Sequence, residues 1–174
     1  MTGTGRHPLI DQAYRTRREG DQRGALASYV EAAQRLHDEG GHVVAEAHAL
    51  RHAADLHEEL GESDDAWRSY DEAWRLYRTL DSAPELDLAN CRRPMALWQE
   101  AHGSVAEALP LWREARAWYE KAGLVTEYDL QPAFAECDRH IRALELQFQT
   151  MAPTRPRSPK SPAAPPSAVR ARRP

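Results

Sequence analysis

Three stretches of this chain set apolar residues at alternating intervals of four and three, with charged residues at some of the positions between. After Gly20 come Ala25, Tyr29, Ala32 and Leu36; after Gly61 come Ala66, Tyr70, Ala73 and Tyr77; after Gly103 come Ala108, Trp112, Ala115 and Tyr119. Such intervals keep residues on one side of an α-helix, so each stretch is predicted to be an amphipathic helix whose seam alternates small and large. An alanine lets a neighbouring helix approach, and the aromatic residue beside it fills the remaining space, burying roughly 150–250 Å². The glycine before each seam suits the left-handed turn at which one helix reverses into the next. The copies begin 41 and 42 residues apart, and self-similarity at such a period marks stacked repeats.

The remaining elements follow from start and stop signals. A first helix over about Pro8 to Glu19 pairs with a second over about Gln22 to Asp38, and Gly40-Gly41 ends that hairpin. A third, about His42 to Leu60, pairs with a fourth for which Ser63 is the expected N-cap, with Asp64 and Asp65 in the first turn. A fifth opens at Ser82-Ala83-Pro84-Glu85, read as a capping box with proline at an early position, and a sixth opens at a second box, Ser104 to Glu107. Pro94 lies inside the fifth helix, where it removes a hydrogen bond; a bend near Asn90 is expected, the alternative being a helix that starts late.

From Thr126 to about Gln149 the repeat signature stops while helical spacing continues. Phe134, Cys137, Ile141, Leu144 and Phe148 form one apolar stripe. Terminal repeats need a cover for the exposed end of their core, so this seventh helix reads as a cap. A dimerisation seam is the alternative, although two heptads are short for a coiled coil. Residues 151–174 hold seven prolines with Ser, Ala and Arg and little to bury, which predicts a disordered or polyproline-like tail.

The unit Gly-x4-Ala-x3-[Tyr/Trp]-x2-Ala is similar to the second half of a tetratricopeptide repeat, and the small residues seven positions before each glycine, Ala13, Ala54 and Ala96, resemble its first half. The long period, and the segment Pro84 to Ala89 leading into Leu97 and Gly103, looks like the kinesin light chain variety. One departure concerns the tyrosine usual three positions after the small residue, where this chain has Thr16, His57 and Gln99. The resemblance covers about residues 7–122. It implies an all-α fold, a right-handed α-solenoid of three helical hairpins at about 7–40, 42–81 and 84–122, closed by the capping helix at about 126–149. Residues 1–150 then form one helical repeat domain, and 151–174 a basic, proline-rich, disordered tail.

Composition sharpens this picture in two ways. Arginine outnumbers lysine 21 to 2, a bias that points to a GC-rich and bacterial genome. The net charge of −4 hides an asymmetry, because residues 1–150 carry 17 basic against 27 acidic residues while 151–174 carry six basic residues and no acid. The tail therefore suits an aromatic groove, nucleic-acid phosphates or a kinase, or else a weak return to the acidic body. Its lack of interleaved aromatics makes the nucleic-acid signal weak. No run of 18 apolar residues and no apolar segment in residues 1–20 is present, so no membrane association and a cytoplasmic location are expected. Cys91 and Cys137 make no CxxC pair or disulfide framework and are expected as buried thiols.

Candidate chemistry is sparse. His48 and His52 stand four apart on one helical face, near His42 and His57, but no HExxH motif or Cys/His cluster supplies further zinc ligands, so no metal and no cofactor are expected. No phosphate loop, nucleophile elbow or positioned Ser/His/Asp set occurs, which argues against an enzyme. In tetratricopeptide proteins the first helix of each pair lines a concave groove. The resemblance maps those lining positions onto His7, Ile10, Tyr14, Arg17 and Arg18, then His48, Arg51, Asp55 and Glu58, then Asn90, Arg93, Leu97 and Glu100. The family's dicarboxylate clamp would need basic residues and Asn where Ile10, Tyr14, Asp55 and Leu97 stand, and only Arg93 keeps the expected charge. The expected function is a non-catalytic scaffold binding an unidentified protein or peptide in this groove, with Arg51 and Arg93 either gripping a carboxylate or pairing with groove acids such as Asp55 and Glu58. The alternatives are an adaptor that reaches nucleic acid through the tail and a metal-binding or enzymatic protein built on the histidines of the third helix.

Overall fold

The computed structural model describes residues 7–103, 105–123 and 131–151. These form seven helices and, among the described residues, no strand: α1 (Pro8–Arg18), α2 (Gln22–Glu39), α3 (Val43–Glu59), α4 (Ser63–Tyr77), α5 (Glu85–Ala101), α6 (Val105–Lys121) and α7 (Gln131–Met151). Each helix packs against the next in sequence, and α3 also touches α5. Of the expected tail, Met151 belongs to α7 and residues 152–174 lie outside the described residues, as do Ser104 of the second expected capping box and residues 126–130 of the expected seventh helix.

The core is laid down in three consecutive segments, each shared by three successive helices. Ile10, Tyr29, Leu36 and Leu56 anchor the first, Tyr70, Tyr77, Leu88 and Met95 the second, and Trp112, Tyr119, Cys137 and Leu144 the third. The repeated seam is its skeleton. Ala25, Ala66 and Ala108 are all 0 % exposed, and the aromatic residues four positions later, Tyr29, Tyr70 and Trp112, are buried against the helices those alanines admit. Cys91 and Cys137 are buried free thiols, and burial pushes the Cys137 thiol up to about 12.

The turns obey the same register. Gly61 takes φ +77° between α3 and α4, with nothing near the place a Cβ would occupy. Its conformation, rather than crowding, is what asks for glycine. Gly20 and Gly103 stand at the equivalent points with φ of +87° and +81°.

Two capping expectations are corrected. Ser63 is the first residue of α4 rather than its cap, because Glu62 takes that position and its carbonyl receives the amides of Asp65 and Ala66. Likewise Ser82 lies short of α5, which begins at Glu85 with Pro84 as its N-cap and no side-chain cap bond. A side-chain cap of this kind holds α2, where Asp21 accepts the amide of Gly24 at 2.8 Å. Helix α5 runs unbroken through Pro94, so the proline costs the Asn90 carbonyl its helical donor without ending the helix. Helix α6 likewise contains Pro110.

On α7 the apolar stripe faces inward. Cys137 and Leu144 are buried, Phe134 and Ile141 pack against the third core segment, and Phe148 remains 55 % exposed beside Leu146 at 64 %. The stripe is thus spent mainly within the chain, covering Trp112 and its neighbours.

Candidate functional site

Helix α3 carries most of the polar chemistry of the interior. Arg51 and Asp55 are one turn apart, and Arg51 Nη1 donates to Asp55 Oδ2 at 3.1 Å. The Nε of Arg51 lies 3.0 Å from Asp87 Oδ1, an ion pair between α3 and α5. From α4 the Tyr70 hydroxyl donates to Asp55 Oδ1 at 2.8 Å. His52 completes the set, with Nδ1 3.1 Å from Asp55 Oδ2 and Nε2 3.0 Å from both Arg51 Nη2 and His48 Nε2. A guanidinium only donates, so His52 Nε2 is the acceptor and Nδ1–H donates to Asp55, which defines the neutral imidazole.

The electrostatics agree with that assignment. Burial pulls the His52 pKa below its ordinary 6.5, outweighing the carboxylate beside it. Burial acts to raise Asp55, yet the His52 hydrogen bond and the Arg51 charge more than offset it and hold the carboxyl below its usual range. Burial opposes the Arg51 charge too, but Asp55 and Asp87 outweigh it and its pKa rises. The result is one buried cation between two carboxylates.

A second network ties α5 to α6 and α7. Arg93 Nη1 donates to Glu136 Oε2 at 2.8 Å, and the Tyr119 hydroxyl donates to Asn90 Oδ1 at 2.8 Å. Glu100 accepts the indole N–H of Trp112 and lies 2.9 Å from His140 Nδ1, while the His140 ring stacks on Trp112 at 4.2 Å. Of these contacts, the Arg93–Glu136 and Glu100–His140 pairs and the stacking of His140 on Trp112 join α7 to α5 and α6.

The residues assigned to the groove therefore fall into distinct environments. Tyr14 and Leu97 are 36 % and 37 % exposed, and Arg18 and Glu58 are exposed as well. Arg17 bonds Glu59 and stands 4.0 Å from Asp55. His48 and Asn90 are half-buried. Arg51 is 9 % exposed, and Ile10, one repeat earlier at the same offset, is 2 % exposed within the first core segment. Arg93, one repeat later, is half-buried against α7. At that offset Ile10 and Arg51 are buried and Arg93 is half-buried, and both arginines meet acids of the chain itself.

Sequence reasoning did not single out Asp87, Tyr70 or Glu136 as partners. Tyr70 carried a signal, because a seam tyrosine must bury a hydroxyl and needs an acceptor. Asp87 and Glu136 carried none, each being one more acid on a helix.

The histidine pair His48 and His52 meets nitrogen to nitrogen, and the other nitrogen of His52 is taken by Asp55. A different trio brings ligand atoms together among the described residues: His7, Glu39 and His42. A cleft of about 460 Å³ also opens between α2, α3 and α4, lined by Val30, Ala33, His37, Leu50, His57 and Glu72. His37 and Glu46 pair across one end of it at 2.9 Å, and His57 meets Glu62 at 2.8 Å.

No protein-family model matches the chain, and no curated protein matches it. No described helix is long and apolar enough to cross a membrane.

Proposed function

We propose that the chain is a non-catalytic protein-interaction module of tetratricopeptide type, a right-handed stack of three hairpins capped by α7 that binds a peptide or partner protein along its first helices. The observation that carries this reading is the threefold equivalence of position: Gly20, Gly61 and Gly103 all at positive φ, followed in each copy by a fully buried alanine and a buried aromatic. Stacked hairpins built alike leave their first helices side by side, and the contact between α3 and α5 fits that arrangement.

The exposed residues of the proposed face suit a mixed ligand. Tyr14 and Leu97 offer apolar contact, while Arg18 and Glu58 offer both charges. The paired state of Arg51 and Arg93 leaves the grip on the partner to these outer side chains. It also supports a scaffold over an enzyme, since the titratable groups of the interior are bound to one another.

Site-specific photo-crosslinking tests the reading. A photoreactive phenylalanine at Tyr14 or Leu97 is expected to capture a common partner in the source cell, whereas one at exposed Glu72 on α4 captures none of it. Equal capture from Glu72 overturns the groove assignment.

A further inference from the structure

We propose that His7, Glu39 and His42 form a binding site for a divalent transition-metal ion of the zinc class at the amino-terminal end of the helical stack. One ligand atom from each of the three lies within 4.8 Å of the others. They come from three separate points of the chain: His7 is the N-cap of α1, Glu39 is the last residue of α2, and His42 is the N-cap of α3. Antiparallel pairing of α1 with α2 brings the start of one beside the end of the other. The turn between Glu39 and His42 is Gly40-Gly41, both at positive φ (+70° and +76°), which folds the chain back sharply enough for the two side chains to converge.

The histidines are otherwise unoccupied by the roles their positions suggest. Neither His7 nor His42 makes a side-chain cap bond to its helix. The two rings meet edge to face at 5.3 Å. The Nδ1 of His7 is shut off from solvent and has no hydrogen-bond partner among the described residues. A buried imidazole nitrogen without a partner is unfavourable, and a neutral imidazole that turns its lone pair to a cation relieves the cost. Two imidazoles and one carboxylate are a donor set that zinc accepts in tetrahedral geometry, with the fourth position left to water. The face-sharing pair His48 and His52 does not offer this, because both nitrogens of His52 already have partners within the protein.

A bound ion would clip the start of α1 to the α2–α3 turn. Although His7 is also one of the mapped groove positions, this inference rests on the convergence of the three side chains and holds or fails whatever the module binds.

The test uses the full chain without a polyhistidine tag, stripped of metal by chelator and titrated with Zn²⁺ by calorimetry and with Co²⁺ by visible absorption. One equivalent is expected to bind, with the intense d–d bands of four-coordinate cobalt and a rise in melting temperature on adding Zn²⁺. His7→Gln, Glu39→Gln and His42→Gln are each expected to weaken binding by more than the roughly 10- to 100-fold that loss of an outer-shell partner causes. Each of these should leave the far-ultraviolet circular dichroism of the metal-free protein unchanged. His48→Gln should leave the affinity as it is. Absence of a stoichiometric site in the native chain, or one that survives His42→Gln or disappears with His48→Gln, overturns the proposal.

Discussion

The hydroxyl of Tyr70, a seam residue of α4, donates to Asp55 Oδ1 of α3 at 2.8 Å. The seam that packs the hairpin therefore also holds the acid that neutralises Arg51. Removing either member has a distinct expected cost. Asp55→Ala leaves Arg51 buried with only Asp87 beside it and is expected to cost about 3–5 kcal/mol, as breaking a buried pair does. Tyr70→Phe leaves Asp55 with its other donors, so about 1–2 kcal/mol is expected. Urea denaturation followed by circular dichroism measures both, and equal losses would contradict the central place given to Asp55.

The same network sets a pH response. The folded pKa of His52 lies below its ordinary 6.5, so the neutral ring contributes stability above that value, and the contribution is lost as pH falls toward the folded pKa. Asp55 is depressed as well, and its contribution is present above the ordinary carboxylate range and lost as pH falls further. Both act in one direction. His37 acts in the other, raised by its hydrogen bond with Glu46, but it sits at the surface. Melting temperature is expected to drop between about pH 7 and about pH 5, and His52→Gln should flatten that first part of the fall. A native profile that rises on acidification would refute the assignment of a neutral His52.

The repeat seam makes a contrast within one helical turn. Ala73 is 0 % exposed, whereas its neighbour Glu72 is exposed. Ala73→Leu is expected to force α4 from its neighbours at about 1–3 kcal/mol, while Glu72→Ala stays within about 0.5 kcal/mol. Equal shifts in melting temperature would remove the packing role of the alanines.

Gly61 isolates backbone from packing. Because open space surrounds its missing Cβ and its φ is +77°, substitution is penalised by conformation alone. Gly61→Ala is expected to cost about 1–2 kcal/mol, and Gly61→Asn less, since asparagine tolerates the left-handed region better. Valine at this position should be the worst of the three. An alanine variant as stable as the native chain would mean that the turn relaxes to another conformation.

Arg93 tests whether the offset that the two arginines share serves structure. Arg93→Ala removes the donor to Glu136 on α7, and its expected result is looser docking of that helix, read as faster amide exchange around Cys137 and Leu144 with α1–α4 unaffected. Unchanged exchange in α7 would return Arg93 to the role of a ligand-gripping residue.

The sequence by itself determined the helices, their order and the small–large seam, because a period near 3.6 and the demand for a left-handed turn are local properties. Ala25, Ala66 and Ala108, and the glycines five positions before them, were legible for that reason. Caps were less so: Ser63 and Ser82 were reasonable local choices, yet Glu62 and Pro84 took the positions where neighbouring helices required the chain to turn. What only tertiary structure decided was the fate of the charges. Asp55 and Glu58 are both acids on one helix, but Asp55 is half-buried under Tyr70 and Arg51 whereas Glu58 is exposed. Arg51 finds Asp87, 36 residues later, and Arg93 finds Glu136, 43 residues later. The convergence of His7 with Glu39 and His42 belongs to the same class. The pairing of charges and ligand atoms depends on which helix faces lie within a few ångströms, and that distance is set by packing between elements far apart in the chain, where no short-range pattern records it.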